Sequence, residues 1–99
     1  MTVVVVTEYL AVPGREDRLR TALEALIEPA LDDPGCLSFQ PYANPNDPAQ
    51  MVVVEEWADP ATLADHRDGT PRRHADLVLA AVLARPAAVR QWPGAGPTG

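Results

Sequence analysis

The segment over residues 3–12 most strongly limits what this chain can fold into, because it is apolar on both alternating faces of a strand. One face carries Val3, Val5 and Tyr9, and the other carries Val4, Val6 and Leu10. Only Thr7 and Glu8 interrupt the pattern. A strand of this kind is buried on two sides, so the fold has to cover both faces of the sheet that contains it.

The chain is long enough for one hydrophobic core. It has 99 residues, of which 46% are hydrophobic, and that share is too high for a disordered chain. A chain of this size buries only about two-thirds of the surface that its unfolded form exposes. A partner chain could bury more of its apolar surface. We predict a single domain over residues 1–93 and a flexible tail over residues 94–99.

Charge and cysteine content bear on partners and location. The net charge of −6 gives an acidic surface that repels phosphate backbones, so we expect no nucleic-acid partner. No apolar run approaches the length of a membrane span, and no basic region precedes the N-terminal apolar stretch, so we expect neither a membrane segment nor a signal peptide. Cys36 is the only cysteine, which excludes an internal disulfide and favours a cytoplasmic location.

Helical and extended patterns alternate after the first strand. Pro13-Gly14 breaks that strand, and apolar residues then recur at helical spacing over residues 15–31, where Pro29 is expected to kink or end the last turn. Residues 36–42 form a second strand. We place it at a sheet edge or at a bulge, because Pro41 cannot donate a hydrogen bond to a neighbouring strand.

Prolines also mark the beginnings of the later helices. A polar loop leads to a third strand over residues 51–57, which is again apolar on both faces until Glu55. Asp59-Pro60 and Thr70-Pro71 each combine a helix cap with a proline in the first turn. The second of these helices carries an apolar stripe of Leu77, Val78, Ala81 and Val82.

With a last strand over residues 88–92, the order of elements is β-α-β-β-α-β, the arrangement of ferredoxin-like domains. The predicted fold class is α+β, with an antiparallel sheet and helices on one face. The first and third strands are central in this topology, and both are apolar on the face that the helices leave bare. A second copy of the chain would cover that face, so we predict a homodimer through the sheet face, a dimeric α+β barrel.

Trp57 is the first candidate site residue, because it ends a central strand on the same face as Val53 and Glu55. An indole there could stack on a flat aromatic ligand and donate its N–H to a ligand oxygen. It could equally fill the core beneath the helices. The sequence leaves both interpretations open.

Glu55 and His66 are the candidates for proton transfer. A carboxylate in an apolar strand is costly unless it is paired, so Glu55 could orient His66 or act as a base, or it could form an ion pair with a nearby arginine or cap a helix. His66 lies three residues after Leu63 and shares its inward side. Its pKa near neutrality would let it take a phenolic or enolic proton, while the alternative is a structural hydrogen bond to the backbone or a carboxylate.

Three arginines near the start of the last helix raise the question of an anionic ligand. Arg72 and Arg73 oppose the helix macrodipole at a cost of about 0.3–1 kcal/mol each, and together with Arg67 they could gather an anion. Nearby aspartates could instead neutralise them as a solvated charge cluster: Asp65, Asp68 and Asp76. No cofactor motif and no metal-ligand spacing is present in the sequence, so we expect no cofactor and no metal.

An ordered set of landmarks resembles the antibiotic biosynthesis monooxygenase (ABM) family and spans nearly the whole chain. The landmarks are Pro13-Gly14, Pro34-Gly35-Cys36, Asp47-Pro48, Glu55-x-Trp57, Leu63-x-x-His66 and Thr70-Pro71. The resemblance implies a ferredoxin-like dimer. It also implies oxidation of an anthrone-type polyketide or a quinol by O2 without metal, flavin or haem, in which the deprotonated aromatic reduces O2 directly.

The resemblance also implies a site. Carried over to this chain, it makes Trp57 a pocket-wall residue and His66 a polar group of the pocket. Together with the candidates taken from the residue pattern, the predicted site has His66 and Glu55 as catalytic residues and Trp57, Val53, Leu63 and Arg73 as substrate contacts. Anthrone oxygenases of the family carry an Asn where this chain has Val53, and Leu63 and Leu77 lie near the positions of their pocket Tyr and Arg. The alternative function is a non-catalytic dimer that binds a small hydrophobic ligand or has a structural role.

Overall fold

One four-stranded antiparallel sheet organises the computed structural model, which describes residues 1–94. The elements are β1 (Val3–Leu10), α1 (Glu16–Glu24), α2 (Ile27–Asp32), β2 (Cys36–Asn44), β3 (Asp47–Trp57), α3 (Pro60–Asp68), α4 (Thr70–Ala80) and β4 (Ala88–Pro93). The strand order is β2-β3-β1-β4, so β1 and β3 are central, and the predicted ferredoxin-like α+β class is confirmed. All of the predicted tail except Gly94 lies outside the described residues.

The register of β1 against β3 places one set of side chains beneath the helices. Val5 pairs with Glu55, Thr7 with Val53 and Tyr9 with Met51, and all six residues are buried. Because paired residues of an antiparallel sheet point to the same face, the polar groups of Thr7, Tyr9 and Glu55 lie on the side that the helices cover. The functional side chains of the sheet are therefore on its inner face.

The opposite face of the sheet is apolar and open, as the double pattern of β1 predicted. Its apolar residues are half-buried or exposed: Val4, Val6, Leu10, Tyr42, Val52, Val54 and Trp92. The β1–β4 register aligns Val4 with Trp92 on this face. The homodimer that would cover it stays a prediction.

The first helical segment differs from its prediction at Pro29. The helix stops at Glu24 and resumes at Ile27, so the break precedes the proline. Pro29 then lies in the first turn of α2, where the backbone N–H that it lacks would have had no partner within the helix. The expectation of a kink or end at Pro29 was wrong for this reason.

The helix starts agree with the sequence at one position and differ at the other. The Asp59 side chain accepts a hydrogen bond from Thr62 N–H at 2.8 Å and caps α3 as predicted. In α4 the N-cap is Gly69, and Thr70 is already the first helical residue. The predicted apolar stripe was right at Val82, which is buried, and wrong at Leu77 and Val78, which are exposed, while Leu79 is buried in their place.

Strand β2 is an edge strand, as the proline at position 41 indicated. Its bulges lie between Cys36 and Ser38 and at the Asn44 end. The polar loop is only a two-residue turn, closed by the Asn44 side chain accepting from Asn46 N–H at 2.8 Å. None of the helices within residues 1–94 combines the length and the apolar content that crossing a bilayer requires.

Candidate active site

A cavity of about 660 Å³ lies on the inner side of the sheet, between α4 and the β1–β4 pair. Its lining residues are Thr7, Tyr9, Arg67, Arg72, Asp76, Leu79, Ala80, Leu83, Ala84, Arg85, Pro86, Ala87 and Val89. Its volume falls in the range of small-molecule sites, and its walls are apolar with a few polar groups. We take it as the candidate active site.

The cavity exists because the helices cover the sheet unevenly. Helices α1 and α3 contact β3, and α2 contacts β2, whereas β4 is exposed along its whole length. The segment after α4 closes one end of the resulting space. It is tied to the end of β1, since Ala84 N–H donates to the Leu10 carbonyl oxygen at 2.8 Å and Val12 N–H donates to the Val82 carbonyl oxygen at 2.9 Å.

Three polar side chains form a network in the cavity. The Arg72 guanidinium donates through Nε to Asp76 Oδ1 at 3.0 Å and through Nη2 to the Tyr9 hydroxyl oxygen at 3.4 Å. Tyr9 is only 2% exposed. Because Arg72 uses the hydroxyl of Tyr9 as an acceptor, the phenolic O–H proton remains free to donate to another oxygen.

Burial and charge set the protonation of this network. Burial raises the pKa of Tyr9 above its ordinary value, and the Arg72 guanidinium offsets only part of that rise. Burial disfavours the charge of Arg72, but Tyr9, Asp76 and Glu55 outweigh it, so its pKa is raised. At neutral pH the cavity therefore presents a neutral phenol beside a guanidinium cation.

Glu55 and Trp57 form a buried pair next to this network. Trp57 is fully buried, and its Nε1–H donates to Glu55 Oε1 at 3.2 Å. Glu55 is 4% exposed. The predicted indole donor is thus used within the protein, and Trp57 packs in a core cluster with Val3, Val5 and Leu63.

His66 packs on the indole of Trp57, with ring centroids 4.5 Å apart. Its Nδ1 lies 3.5 Å from Asp33 Oδ2, so the carboxylate that orients it is Asp33, where the sequence had suggested Glu55. Burial, followed by the charge of Arg72, lowers the pKa of His66 below its ordinary value, against the opposing effects of Glu55 and Asp33. His66 is therefore neutral at pH 7 and keeps Nε2 as a potential proton acceptor.

The other residues proposed from the sequence are dispersed. Val53 and Leu63 are buried in the core, and Arg73 is exposed outside the cavity. The structure instead brings Arg67 and Arg72 to the cavity wall. His66 lines a neighbouring depression of about 280 Å³, which shares Arg72 with the cavity.

Sequence reasoning missed several cavity residues. Tyr9 shares the inner face of β1 with Val5, and a phenol in such a row needs a polar partner, so this signal was available. Asp76 was predicted as a charge that neutralises the arginines, and it does pair with Arg72 one helical turn before it. No local pattern pointed to Arg85 at the cavity or to the Asp33 contact, because each depends on how distant segments pack. Within residues 1–94, no three side chains of His, Cys, Asp or Glu are grouped closely enough to hold a metal ion.

The strand order, the helices on one face and the cavity between sheet and α4 define a ferredoxin-like protein with a ligand-sized inner site. The family model described as antibiotic biosynthesis monooxygenase matches residues 2–76. The chain therefore belongs to the ABM family, and this membership supports a general monooxygenase role.

Individual relatives agree with this assignment. The chain is 28% identical over 87 residues to "Putative monooxygenase Rv0793" of Mycobacterium tuberculosis, covering 88% of this chain and 85% of that protein. The solved structure of Rv0793 has a TM-score of 0.90 at 23% identity, with full coverage of both chains. An ABM-family structure from Nitrosomonas europaea has a TM-score of 0.92 at 19% identity, covering 99% of this chain and 94% of that one.

Proposed function

We propose that the protein is a cofactor-independent monooxygenase that oxidises a quinol or an anthrone-like aromatic with O2. The observation that supports this most is the cavity, whose apolar walls suit a flat ring system and whose polar network places a cation beside a buried phenol. Such a site favours the anionic form of a phenolic or enolic substrate. The anion is the form that is electron-rich enough to reduce O2.

Arg72 and Tyr9 have complementary roles in this proposal. The substrate oxygen that gains negative charge lies near the Arg72 guanidinium, and the free proton of the Tyr9 hydroxyl donates to the same oxygen. An anthrone methylene and O2 then give a carbonyl and one water. Two C–H bonds break, one oxygen atom enters the product, and the other leaves as water with both hydrogens.

We propose His66 as the proton acceptor. Asp33 contacts its Nδ1 side, Trp57 packs against its ring, and the depression that His66 lines shares Arg72 with the cavity. Glu55 holds Trp57 through the indole N–H, and so acts on His66 through Trp57. The neutral state of His66 at pH 7 is the state that a general base requires.

The pH dependence of turnover tests the role of His66. Because its pKa is lowered from 6.5, we expect kcat/KM to stay constant as pH falls to 6.5 and to decline only below that value. The measurement is kcat/KM between pH 4.5 and 8 for wild type and His66→Gln. If the decline of kcat/KM at low pH were unchanged in His66→Gln, another group would accept the proton.

Oxygen uptake tests the proposed function itself. Metal-stripped protein is mixed with a panel of anthrones and quinols, and O2 consumption is compared with the uncatalysed rate. Uptake above that rate, with one oxygen atom of ¹⁸O2 in the product, is the expected result. No uptake across the panel would favour the non-catalytic function, in which the same cavity binds a small hydrophobic ligand.

We also propose a homodimer through the open sheet face. We expect Trp92→Asp to convert a species of twice the 10.6 kDa chain mass into monomer, because it places a charge among the apolar residues of that face. Analytical ultracentrifugation measures the change. Leu77→Asp, on an exposed part of α4, is the matched control and should stay dimeric. A monomeric wild-type protein would exclude the dimer.

A further inference from the structure

We infer that the substrate of this cavity carries a carboxylate in addition to its oxidisable ring. That the ring is oxidised rests on the proposed function, whereas the binding of a carboxylate in the cavity does not. The feature that carries the inference is a set of three arginines at the cavity: Arg67 from α3, Arg72 from α4, and Arg85 from the segment that closes the end.

The charge of the cavity is opposite to that of the whole chain. The protein has a net charge of −6 and only 8 basic side chains, all of them arginine. Three of these line the cavity, and Asp76 is the one acidic residue among the lining residues. An excess of positive charge confined to one concave site on an acidic protein raises the local concentration of anions and repels cations.

The arginines also have unused binding capacity. Asp76 pairs with Arg72 through Nε, and the Nη1 nitrogen of Arg72 has no hydrogen-bond partner in the described part of the chain. Neither Arg67 nor Arg85 has a carboxylate within ion-pair distance among residues 1–94. A guanidinium offers a planar fork that matches a carboxylate, so an anionic substituent would find donors that the protein itself leaves unoccupied.

The positions of the arginines separate two oxygen-binding regions. Arg72 is half-buried beside the buried Tyr9, whereas Arg67 and Arg85 are exposed. The oxygen of the reacting ring therefore belongs with Arg72 and Tyr9, and the carboxylate belongs with Arg67 and Arg85 towards solvent. Two separate contacts of this kind would fix the orientation of a ring that apolar walls alone would leave free to rotate.

A matched pair of ligands tests the inference without turnover. Anthraquinone-2-carboxylate and anthraquinone-2-carboxamide have the same ring, and neither contains the methylene that is oxidised. Calorimetric titration of the wild type should give about tenfold tighter binding of the carboxylate, a preference that shrinks with added salt. Arg67→Gln and Arg85→Gln should each reduce the preference several-fold without weakening binding of the carboxamide.

Arg18→Gln is the control, since it removes the same charge from an exposed residue of α1 that does not line the cavity. It should leave the preference unchanged. Equal affinity of the wild type for both ligands would overturn the inference, as would equal loss of preference in Arg18→Gln. Preference for the carboxylate without O2 uptake on any anthrone or quinol would leave the anion site in place and reject the oxygenase.

Discussion

Arg72→Gln is expected to lower kcat/KM for an anthrone or quinol by about a hundredfold, the size seen when one group that stabilises a developing oxyanion is removed. In this structure Arg72 is the cation that reaches the buried Tyr9 hydroxyl. Gln keeps hydrogen-bonding capacity and loses the charge. The substrate anion would then form beside a neutral phenol only, and its oxidation by O2 would slow.

Steady-state O2 consumption measures this loss, with Arg18→Gln as the control for the removal of one positive charge. The neighbouring Arg73, which the sequence had suggested, supplies the sharper comparison because it is exposed outside the cavity. If Arg73→Gln lost activity and Arg72→Gln retained it, the assignment of the cation to Arg72 would be wrong. Circular dichroism should show all three variants folded.

Trp57→Ala is expected to destabilise the fold by about 3–5 kcal/mol, since it removes a fully buried indole from the cluster around Val3 and Val5. It also leaves the buried Glu55 carboxylate without its donor. The free energy of unfolding of a whole domain is about 5–15 kcal/mol. The substitution would therefore remove a large fraction of the free energy of unfolding.

Urea titration monitored by circular dichroism measures this effect. Trp57→Phe keeps an aromatic ring and therefore part of the packing, but it removes the N–H together with the rest of the indole. We expect a smaller loss than for Trp57→Ala and at least about 1–3 kcal/mol, the penalty for a buried polar group that loses its partner. A Trp57→Ala variant within 1 kcal/mol of the wild type would contradict the packing seen here.

Much of the fold could be predicted from the sequence, because the patterns that indicate strands, helices and caps are local. The double apolar pattern of β1 predicted a central strand, Pro41 predicted the edge position of β2, and Asp59-Pro60 predicted the cap of α3. The errors also have local causes. Gly69 replaced Thr70 as the cap of α4, and a core stripe shifted from Leu77 to Leu79.

The site was harder to predict because it depends on distant contacts. Periodicity identified Trp57 and His66 as inward residues, and in the structure their rings pack against each other. It could not show that Arg72 points inward while Arg73 points outward, since that follows from the rotation of α4 about its axis. Nor could it bring Asp33, in the turn before β2, to His66 in α3.

The cavity has two parts that can change independently: a buried part and an end wall. The end wall is the segment after α4, which hydrogen bonds hold to the end of β1. Tyr9 and Leu79 belong to the buried core, so substitutions there affect folding. The end wall includes small exposed residues outside that core, Ala84 and Pro86. Larger side chains at these positions would narrow the cavity at little cost in stability. Descendants of this chain could therefore acquire new substrates through a few changes within residues 80–89, while the sheet and the proton-transfer residues stay the same.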